Sequence, residues 1–125
     1  MNFLLDTHVF LWWLSDHKRL SKEAYAAIHH SNNVIFVSAA TAWEIAIKKS
    51  IGQLEFSNEI EEILILNNFQ ALPISIAHAS HAGTLPHHHT DPFDRILIAQ
   101  AQIEKLTLVT HDQKQILYDV SVIMA

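Results

Sequence analysis

The sequence contains no cysteine and little glycine, proline or charge. Its 125 residues include two glycines and three prolines, and only 17% of them are charged. The absence of cysteine excludes a disulfide scaffold, a thiolate zinc site and a cysteine nucleophile. Because half of the residues are hydrophobic, a compact fold is predicted rather than a disordered, collagen-like or linker segment. The length predicts a single domain spanning residues 1–125.

Targeting segments and basic residues are also scarce. The opening stretch MNFLLDTHVF lacks a basic leader, and Asp6 interrupts its apolar run before a membrane-spanning helix could form, so we expect a cytoplasmic protein. Eight basic and thirteen acidic side chains give a formal charge of −5, which argues against a broad basic face for nucleic acid. A nucleic-acid substrate would therefore require metal ions to offset the charge of the protein.

Short apolar runs and amphipathic segments alternate along the chain. The runs predict strands at Asn2–Leu5, Val34–Val37, FQALPI, Leu106–Val109 and VSVIM. Helices are predicted after Asp6, Ser21, Ser38, Ser57, Ser75 and Asp91, and Gly52 is expected to stop the third of them. This alternation favours a three-layer α/β/α sandwich with a central, mostly parallel sheet. In such sheets, ligands bind beyond the carboxyl ends of the strands.

Four acidic residues occupy positions suited to such a site. Asp6 follows the first strand and Asp112 follows LTLV after one turn, so both are expected at the same rim of the sheet. Glu44 and Asp94 lie in helices with apolar neighbours, where an unpaired carboxylate is costly. Because cysteine is absent and no basic side chain is clearly aimed at these acids, Mg²⁺ or Mn²⁺ is the partner that fits them. Glu44 could instead pair with Lys48 on a solvated helix face.

The stretch DPFDR leaves two interpretations open for its acids. Asp91 precedes Pro92, the usual first residue of a helix, so capping alone accounts for it. Asp94 suits the positive end of the helix, but it also suits a metal site. Arg95 is predicted either to reach a phosphate or to lie along the surface and pair with an acid such as Asp91.

The histidines and tryptophans are assigned to loop and packing roles. His87, His88 and His89 are consecutive and cannot all point one way, so they predict a flexible, solvated loop that borders the site rather than a metal centre. The tryptophans Trp12, Trp13 and Trp43 lie in apolar runs without interleaved basic residues. They are expected in the core or at a dimer interface rather than as base-stacking platforms.

Four motifs resemble those of one family when they are taken together. LLDTHVFLWWL, SAATAWEIAIKKSIGQL, DPFDRILIAQA and LTLVTHD, in this order, resemble PIN-domain ribonucleases, and VapC-type toxins of bacterial and archaeal toxin–antitoxin pairs in particular. The resemblance implies a PIN fold, RNA cleavage dependent on Mg²⁺ or Mn²⁺, frequent homodimers and an inhibitory antitoxin protein. It also implies Asp6, Glu44, Asp94 and Asp112 as the four acids of the site, with Asp91 as the other candidate for the third, and Thr110 as the hydroxyl residue that accompanies the last.

The resulting hypothesis is a metal-dependent endoribonuclease that acts as the toxin of a toxin–antitoxin pair. Water would attack the phosphorus in line, leaving a 5′-phosphate and a 3′-hydroxyl. The first alternative is a catalytically silent PIN-like module that only binds a partner protein. The second is a phosphate-accepting receiver domain, but such domains have an acid pair after the first strand and a lysine after a late one, whereas LLDTH supplies one acid.

Overall fold

A five-stranded parallel sheet forms the centre of the molecule. The computed structural model describes residues 1–125. The strands are β1 (Asn2–Leu5), β2 (Val34–Ser38), β3 (Gln70–Leu72), β4 (Thr107–Thr110) and β5 (Val122–Met124). They are arranged in the order β3-β2-β1-β4-β5, and each neighbouring pair is parallel. The parallel sheet predicted from the sequence is confirmed.

Six α-helices connect the strands. They are α1 (Thr7–Ser15), α2 (Lys22–His29), α3 (Ala39–Ser50), α4 (Ile60–Leu66), α5 (Ile76–Thr84) and α6 (Pro92–Glu104). Serine side chains cap α2, α3 and α5 as predicted, and Gly52 takes the left-handed conformation (φ 77°) just beyond α3. No helix is long and apolar enough to cross a membrane.

The predicted start of the fourth helix at Ser57 is wrong. Helix α4 begins at Ile60, and the side chain of its N-cap residue Glu59 makes no capping hydrogen bond. Leu54 and Phe56 pack against the core from the irregular segment before the helix. Burial of these side chains therefore takes precedence over the serine capping signal, and the chain turns into the helix later.

The apolar side chains are buried on both faces of the sheet. Phe3 and Leu5 point to one face and join a cluster that includes Phe10 of α1 and Ile45 of α3. Leu4 points to the opposite face and joins a second cluster with α5 and α6. Side chains alternate between faces along a strand, so β1 contributes to both cores, and helices on both sides complete the three-layer sandwich.

The pairing of β1 with β4 determines where two of the candidate site residues lie. Leu5 lies opposite Val109, and the backbone N–H of Asp6 donates to the Val109 carbonyl oxygen at 3.0 Å. The chain therefore leaves both strands at the same rim of the sheet. As predicted, Asp6 and Asp112 both follow strands that end at this rim.

Candidate metal centre

Asp6 is a buried carboxylate held by contacts from two segments. The residue is 2% exposed, and its Oδ1 accepts a hydrogen bond from the backbone N–H of Val9 at 2.8 Å, which caps α1. Oδ2 accepts from the Thr110 hydroxyl and from the backbone N–H of His111 at 3.3 Å. These donors and the positive end of α1 compensate for burial of the negative charge.

Glu44 reaches the same rim from α3. Its Oε1 accepts a hydrogen bond from the Thr7 hydroxyl at 2.7 Å, and Thr7 directly follows Asp6. Its Oε2 pairs with the Lys48 ammonium at 2.9 Å, so the ion pair considered from the sequence is present. The side chain is nevertheless only 12% exposed. Glu44 is therefore a largely buried residue at the rim and does not lie on a solvated helix face.

Asp94 and Asp112 are joined by His89. The Nε2 atom of His89 lies 3.0 Å from Oδ2 of Asp94 and 2.7 Å from Oδ2 of Asp112. The other Asp112 oxygen accepts a hydrogen bond from the backbone N–H of Lys114 at 2.9 Å. One ligand atom from each of the three residues falls within 4.8 Å of the others. Such a group is compact enough to hold a metal ion.

The acids influence one another electrostatically. Burial, and then the neighbouring Asp91 carboxylate, raise the pKa of Asp94 to about 7, and Asp6 and Glu44 contribute in the same direction. Burial alone would raise the pKa of Asp112, but hydrogen bonds from Lys114 and His89 outweigh it and lower that pKa overall. The hydrogen bond to Asp6 raises the pKa of the His111 imidazole. The carboxylates of the rim therefore lie close enough to alter one another's ionisation.

The donor set of the rim fits a hard divalent cation. Asp6, Glu44, Asp94 and Asp112 offer carboxylate oxygens and the chain has no thiolate. Oxygen ligands of this kind suit Mg²⁺ and Mn²⁺, whereas sulfur and nitrogen sets favour other metals. The raised pKa of Asp94 points the same way, since a bound cation would offset both the burial and the neighbouring carboxylates that raise it.

Asp91 acts as the N-cap of α6. Its Oδ1 accepts hydrogen bonds from the backbone N–H groups of Phe93 at 2.8 Å and of Asp94 at 3.4 Å. The capping interpretation of this residue is confirmed. The two acids of DPFDR thus differ in their contacts: Asp91 holds the helix end, while Asp94 extends towards His89.

The predicted pairing of Arg95 with an acid is wrong, and its contact with a phosphate stays a prediction. Its guanidinium donates to four backbone carbonyl oxygens at the end of α5 and in the loop that follows. These belong to Ala82 (2.8 Å), Leu85 (2.9 Å), Pro86 (3.0 Å) and His89 (3.1 Å). Carbonyls at a helix end have no partner within the helix, and a planar guanidinium can satisfy several of them together. Arg95 therefore fixes the conformation of the loop that carries His89.

The segment between α5 and α6 that contains His87, His88 and His89, here called the histidine loop, agrees only in part with the prediction of a solvated loop. His87 and His88 are exposed, but His89 turns inwards and its backbone N–H donates to the Tyr118 hydroxyl at 2.8 Å. The prediction of a solvated, flexible loop is therefore wrong for His89. The only sequence signal for it was its position two residues before the N-cap Asp91, which brings its ring to the end of α6.

Aromatic rings surround the Asp6 side of the rim. Trp12 packs against the core as predicted, but the guanidinium of Arg19 lies 4.5 Å from its ring centroid and the His111 ring lies 5.2 Å away. Basic groups absent from the tryptophan segment are thus supplied by neighbours in space. Trp43 is 62% exposed, so a core position is wrong for it and the interface prediction remains.

Comparisons with known proteins agree with this architecture. A family model described as "PIN domain" matches residues 3–121. The chain is 31% identical over 119 residues to ribonuclease VapC22 of Mycobacterium tuberculosis, covering 89% of this chain and 87% of that protein. The structure of VapBC2 from Rickettsia felis bound to a DNA fragment from their promoter has a TM-score of 0.72 at 18% identity, covering 99% of this chain and 98% of that one. A toxin–antitoxin complex from Klebsiella pneumoniae has a TM-score of 0.65 at 25% identity, covering 97% and 95%.

Proposed function

The chain belongs to the PIN domain family, and from this membership we propose that it is a metal-dependent endoribonuclease and the toxin of a toxin–antitoxin pair. The observation that supports the proposal is that Asp94 and Asp112 meet at His89, at the rim where Thr110 and Thr7 hold Asp6 and Glu44. The similarity to a ribonuclease over most of both chains supports the activity. The alternative of a silent binding module has no need for four converging acids.

The four acids are proposed to hold Mg²⁺ or Mn²⁺. When bound, such an ion would offset the charge of the phosphodiester and promote ionisation of the attacking water. The chain itself supplies the orientation: Thr110 and the end of α1 hold Asp6, while Thr7 and Lys48 hold Glu44. Hydrolysis adds water at phosphorus and releases the 3′-oxygen, leaving a 5′-phosphate and a 3′-hydroxyl. No covalent enzyme intermediate is required.

The test is RNA cleavage by the purified protein without its partner. Total RNA is incubated with the parent and with Asp6→Asn, in Mg²⁺, in Mn²⁺ and in EDTA, and the fragment ends are mapped. We expect discrete cuts that disappear in EDTA and in Asp6→Asn, because asparagine keeps the α1 cap but loses the charge. The control variant Asp16→Asn changes an exposed aspartate outside the rim and should cut like the parent. Intact RNA under every condition, from folded parent protein, would favour the silent binding module.

The partner of the toxin is proposed to be an antitoxin protein. One structural neighbour of similar fold is a toxin–antitoxin complex. A groove of about 470 Å³ between α3 and α4 is lined by apolar residues that include Ala42, Phe56 and Leu64, and it would accept apolar side chains of a partner helix. Expression of the chain alone should arrest growth, and co-expression with the adjacent gene should restore it. Equal growth in both cases would contradict this part of the proposal.

A homodimer is proposed on a second apolar surface. This surface, the Trp43 patch, consists of Trp43, Ile47, Ile74, Phe93 and Ile96 and encloses about 480 Å³. The Trp43 and Phe93 rings meet edge to face, with centroids 5.3 Å apart. Contiguous apolar side chains that are exposed, like Trp43, or partly exposed, like Phe93, mark association surfaces. The patch adjoins Glu44 and Asp94 in sequence, so a second subunit would border the acidic rim.

A further inference from the structure

His89 lies between two of the four acids, although nothing in the proposed reaction requires a histidine there. Its Nε2 atom is 2.7 Å from Asp112 and 3.0 Å from Asp94, with Oδ2 as the contacted atom in both carboxylates. The side chain is 11% exposed, so it is largely enclosed by the loop and the rim. The position is therefore one that a cation shared by the two carboxylates would also occupy.

The hydrogen-bond pattern assigns the proton of the ring. The Nδ1 atom of His89 accepts from the backbone N–H of Asp91 at 3.2 Å, so its lone pair faces that donor. A neutral imidazole carries one proton, which must then be on Nε2. Nε2 consequently donates to Asp112 and offers no lone pair towards either carboxylate. In this orientation the N–H group of His89 takes the place of a cation between the two acids and is not a ligand for one.

The loop holds the ring in this place from several sides. The His89 carbonyl oxygen accepts from Arg95 at 3.1 Å, and its N–H donates to the Tyr118 hydroxyl at 2.8 Å. Tyr118 in turn donates to the Pro86 carbonyl oxygen at 2.8 Å. Because backbone and ring are both fixed, the contact with the acids is a built feature of the fold.

We propose that His89 is a positioning residue that stands in for the metal: its Nε2–H donates to Asp112 and lies against Asp94 in the metal-free protein, and a divalent cation must displace it to bind. This inference rests on the proposed function only in assuming that these carboxylates hold the ion. His89 keeps two mutually repelling carboxylates close together before the cation arrives. In return, its hydrogen bond to Asp112 weakens the apparent affinity of the site for the cation.

The test is calorimetric titration with Mn²⁺ at one fixed pH, without RNA, on the parent, His89→Ala and His89→Gln. We expect His89→Ala to bind Mn²⁺ roughly tenfold more tightly. In the parent, Mn²⁺ must break the hydrogen bond from His89 to a charged carboxylate, and the variant has no such bond to break. His89→Gln retains an N–H donor and should fall between the other two proteins. The control variant His87→Ala removes an exposed histidine of the same loop and should bind like the parent. Unchanged or weaker binding by His89→Ala overturns the inference.

A second measurement does not depend on a substitution. In the ¹⁵N spectrum of histidine-labelled parent protein, titration with Mg²⁺ should release His89 from its fixed tautomer, giving a mixture of the two neutral forms. An unchanged spectrum upon binding, or a shift showing Nε2 coordinated to the ion, would overturn the proposal.

The outcomes separate this inference from the proposed function. Mn²⁺ binding that is equal in parent and His89→Ala overturns the inference alone. Tighter binding by His89→Ala together with intact RNA overturns the nuclease and leaves the role of His89 standing. No binding by either folded protein overturns both the metal site and the inference.

Discussion

At the scale of single residues, the four acids differ in what fixes them. Asp6 is fully enclosed and held by donors from two segments, whereas Asp94 and Asp112 share one histidine. Thr110 connects the two groups, because its hydroxyl donates to Asp6 and accepts from the backbone N–H of Asp112 at 3.0 Å. The site therefore depends on small neutral residues as well as on its acids.

Replacement of Thr110 by valine tests that connection. Thr110→Val keeps the shape of the side chain but removes the hydroxyl that orients Asp6, so RNA cleavage should fall about 10- to 100-fold, as is typical when a ligand loses its orienting partner. Thr84→Val removes an exposed hydroxyl that donates only to a local carbonyl, and it should cleave normally. Cleavage is measured on a defined RNA after circular dichroism has verified folding. Parent-like cleavage by Thr110→Val would refute this role.

The raised pKa of Asp94 makes stability depend on pH in metal-free protein. The ordinary pKa of an aspartate is 3.8, and the pKa of Asp94 in the folded protein is about 7. The folded state therefore binds the proton more tightly than the unfolded state does. This contribution to stability is complete below the ordinary pKa and is lost as the pH rises through about 7.

The variant Asp94→Asn should therefore be more stable than the parent at alkaline pH. In EDTA at about pH 8 we expect a difference of about 1–2 kcal/mol, after allowance for solvent screening, and a smaller one at about pH 5. Urea unfolding at both pH values measures it, and Asp119→Asn, which changes an exposed aspartate, serves as the control. A difference that is independent of pH would contradict the assignment to Asp94.

At the scale of secondary-structure elements, the ends of α5 and α6 build one side of the site. Asp91 caps α6, and Arg95 from the next turn of the same helix satisfies carbonyls at the end of α5. The two helices and the histidine loop are thereby tied together. The geometry of the proposed site depends on this junction because His89 and Asp94 belong to it.

Substitution of the two acids of α6 by asparagine distinguishes capping from a role in the site. Asparagine caps helices about as well as aspartate, so Asp91→Asn should retain both stability and RNA cleavage. Asp94→Asn should fold but lose cleavage, because it removes a charge from the proposed metal site. Asp91→Ala should lose about 0.5–2 kcal/mol of stability as the cap disappears. Loss of cleavage in Asp91→Asn with full stability would instead make Asp91 the third acid.

Replacement of Arg95 by lysine should loosen the histidine loop. Lysine retains the charge but cannot donate to several carbonyls in a planar arrangement, so we expect a loss of about 1–3 kcal/mol in the free energy of unfolding. Amide hydrogen exchange in residues 85–91 should accelerate as well. Arg19→Lys makes the same chemical change at an exposed site over Trp12 and should have little effect. Equal stability of both variants would show that the carbonyl contacts contribute nothing.

At the scale of the whole molecule, the order β3-β2-β1-β4-β5 places the two strands that precede Asp6 and Asp112 side by side. The acidic rim then lies across the carboxyl ends of the central strands, where ligands bind in parallel sheets. With a formal charge of −5, the protein has no excess of basic residues to hold RNA. Bound cations and association with other chains would therefore contribute to substrate binding.

The homodimer prediction belongs to this scale. Trp43→Gln should shift the protein from dimer to monomer in sedimentation velocity, with association at least tenfold weaker, because buried tryptophans often dominate interfaces. Ile65→Gln changes an apolar residue that is also exposed but lies on α4 outside the Trp43 patch, and it should remain dimeric. A monomeric parent, or a dimeric Trp43→Gln protein, would contradict the proposed interface.

The sequence by itself determined the fold class and the parallel sheet, and it predicted which acids belong to the rim. Alternating strands and helices, serine caps and the motifs around Asp6, Glu44, Asp94 and Asp112 are local signals, and each can be interpreted without knowledge of distant contacts. The N-cap at Asp91 was predictable for the same reason, since capping depends on a few adjacent residues.

The tertiary structure decided the contacts between segments that are far apart in sequence. His89 reaches Asp112 across 23 residues, and Thr110 reaches Asp6 across 104. Arg95 donates to backbone carbonyl oxygens, which every residue has, so the sequence does not indicate these contacts. Arg19 places its guanidinium over Trp12 from outside the apolar run that contains Trp12. The late start of α4 has the same origin, because core packing overrides a local cap. These features depend on how the helices pack across the sheet, which no local pattern specifies.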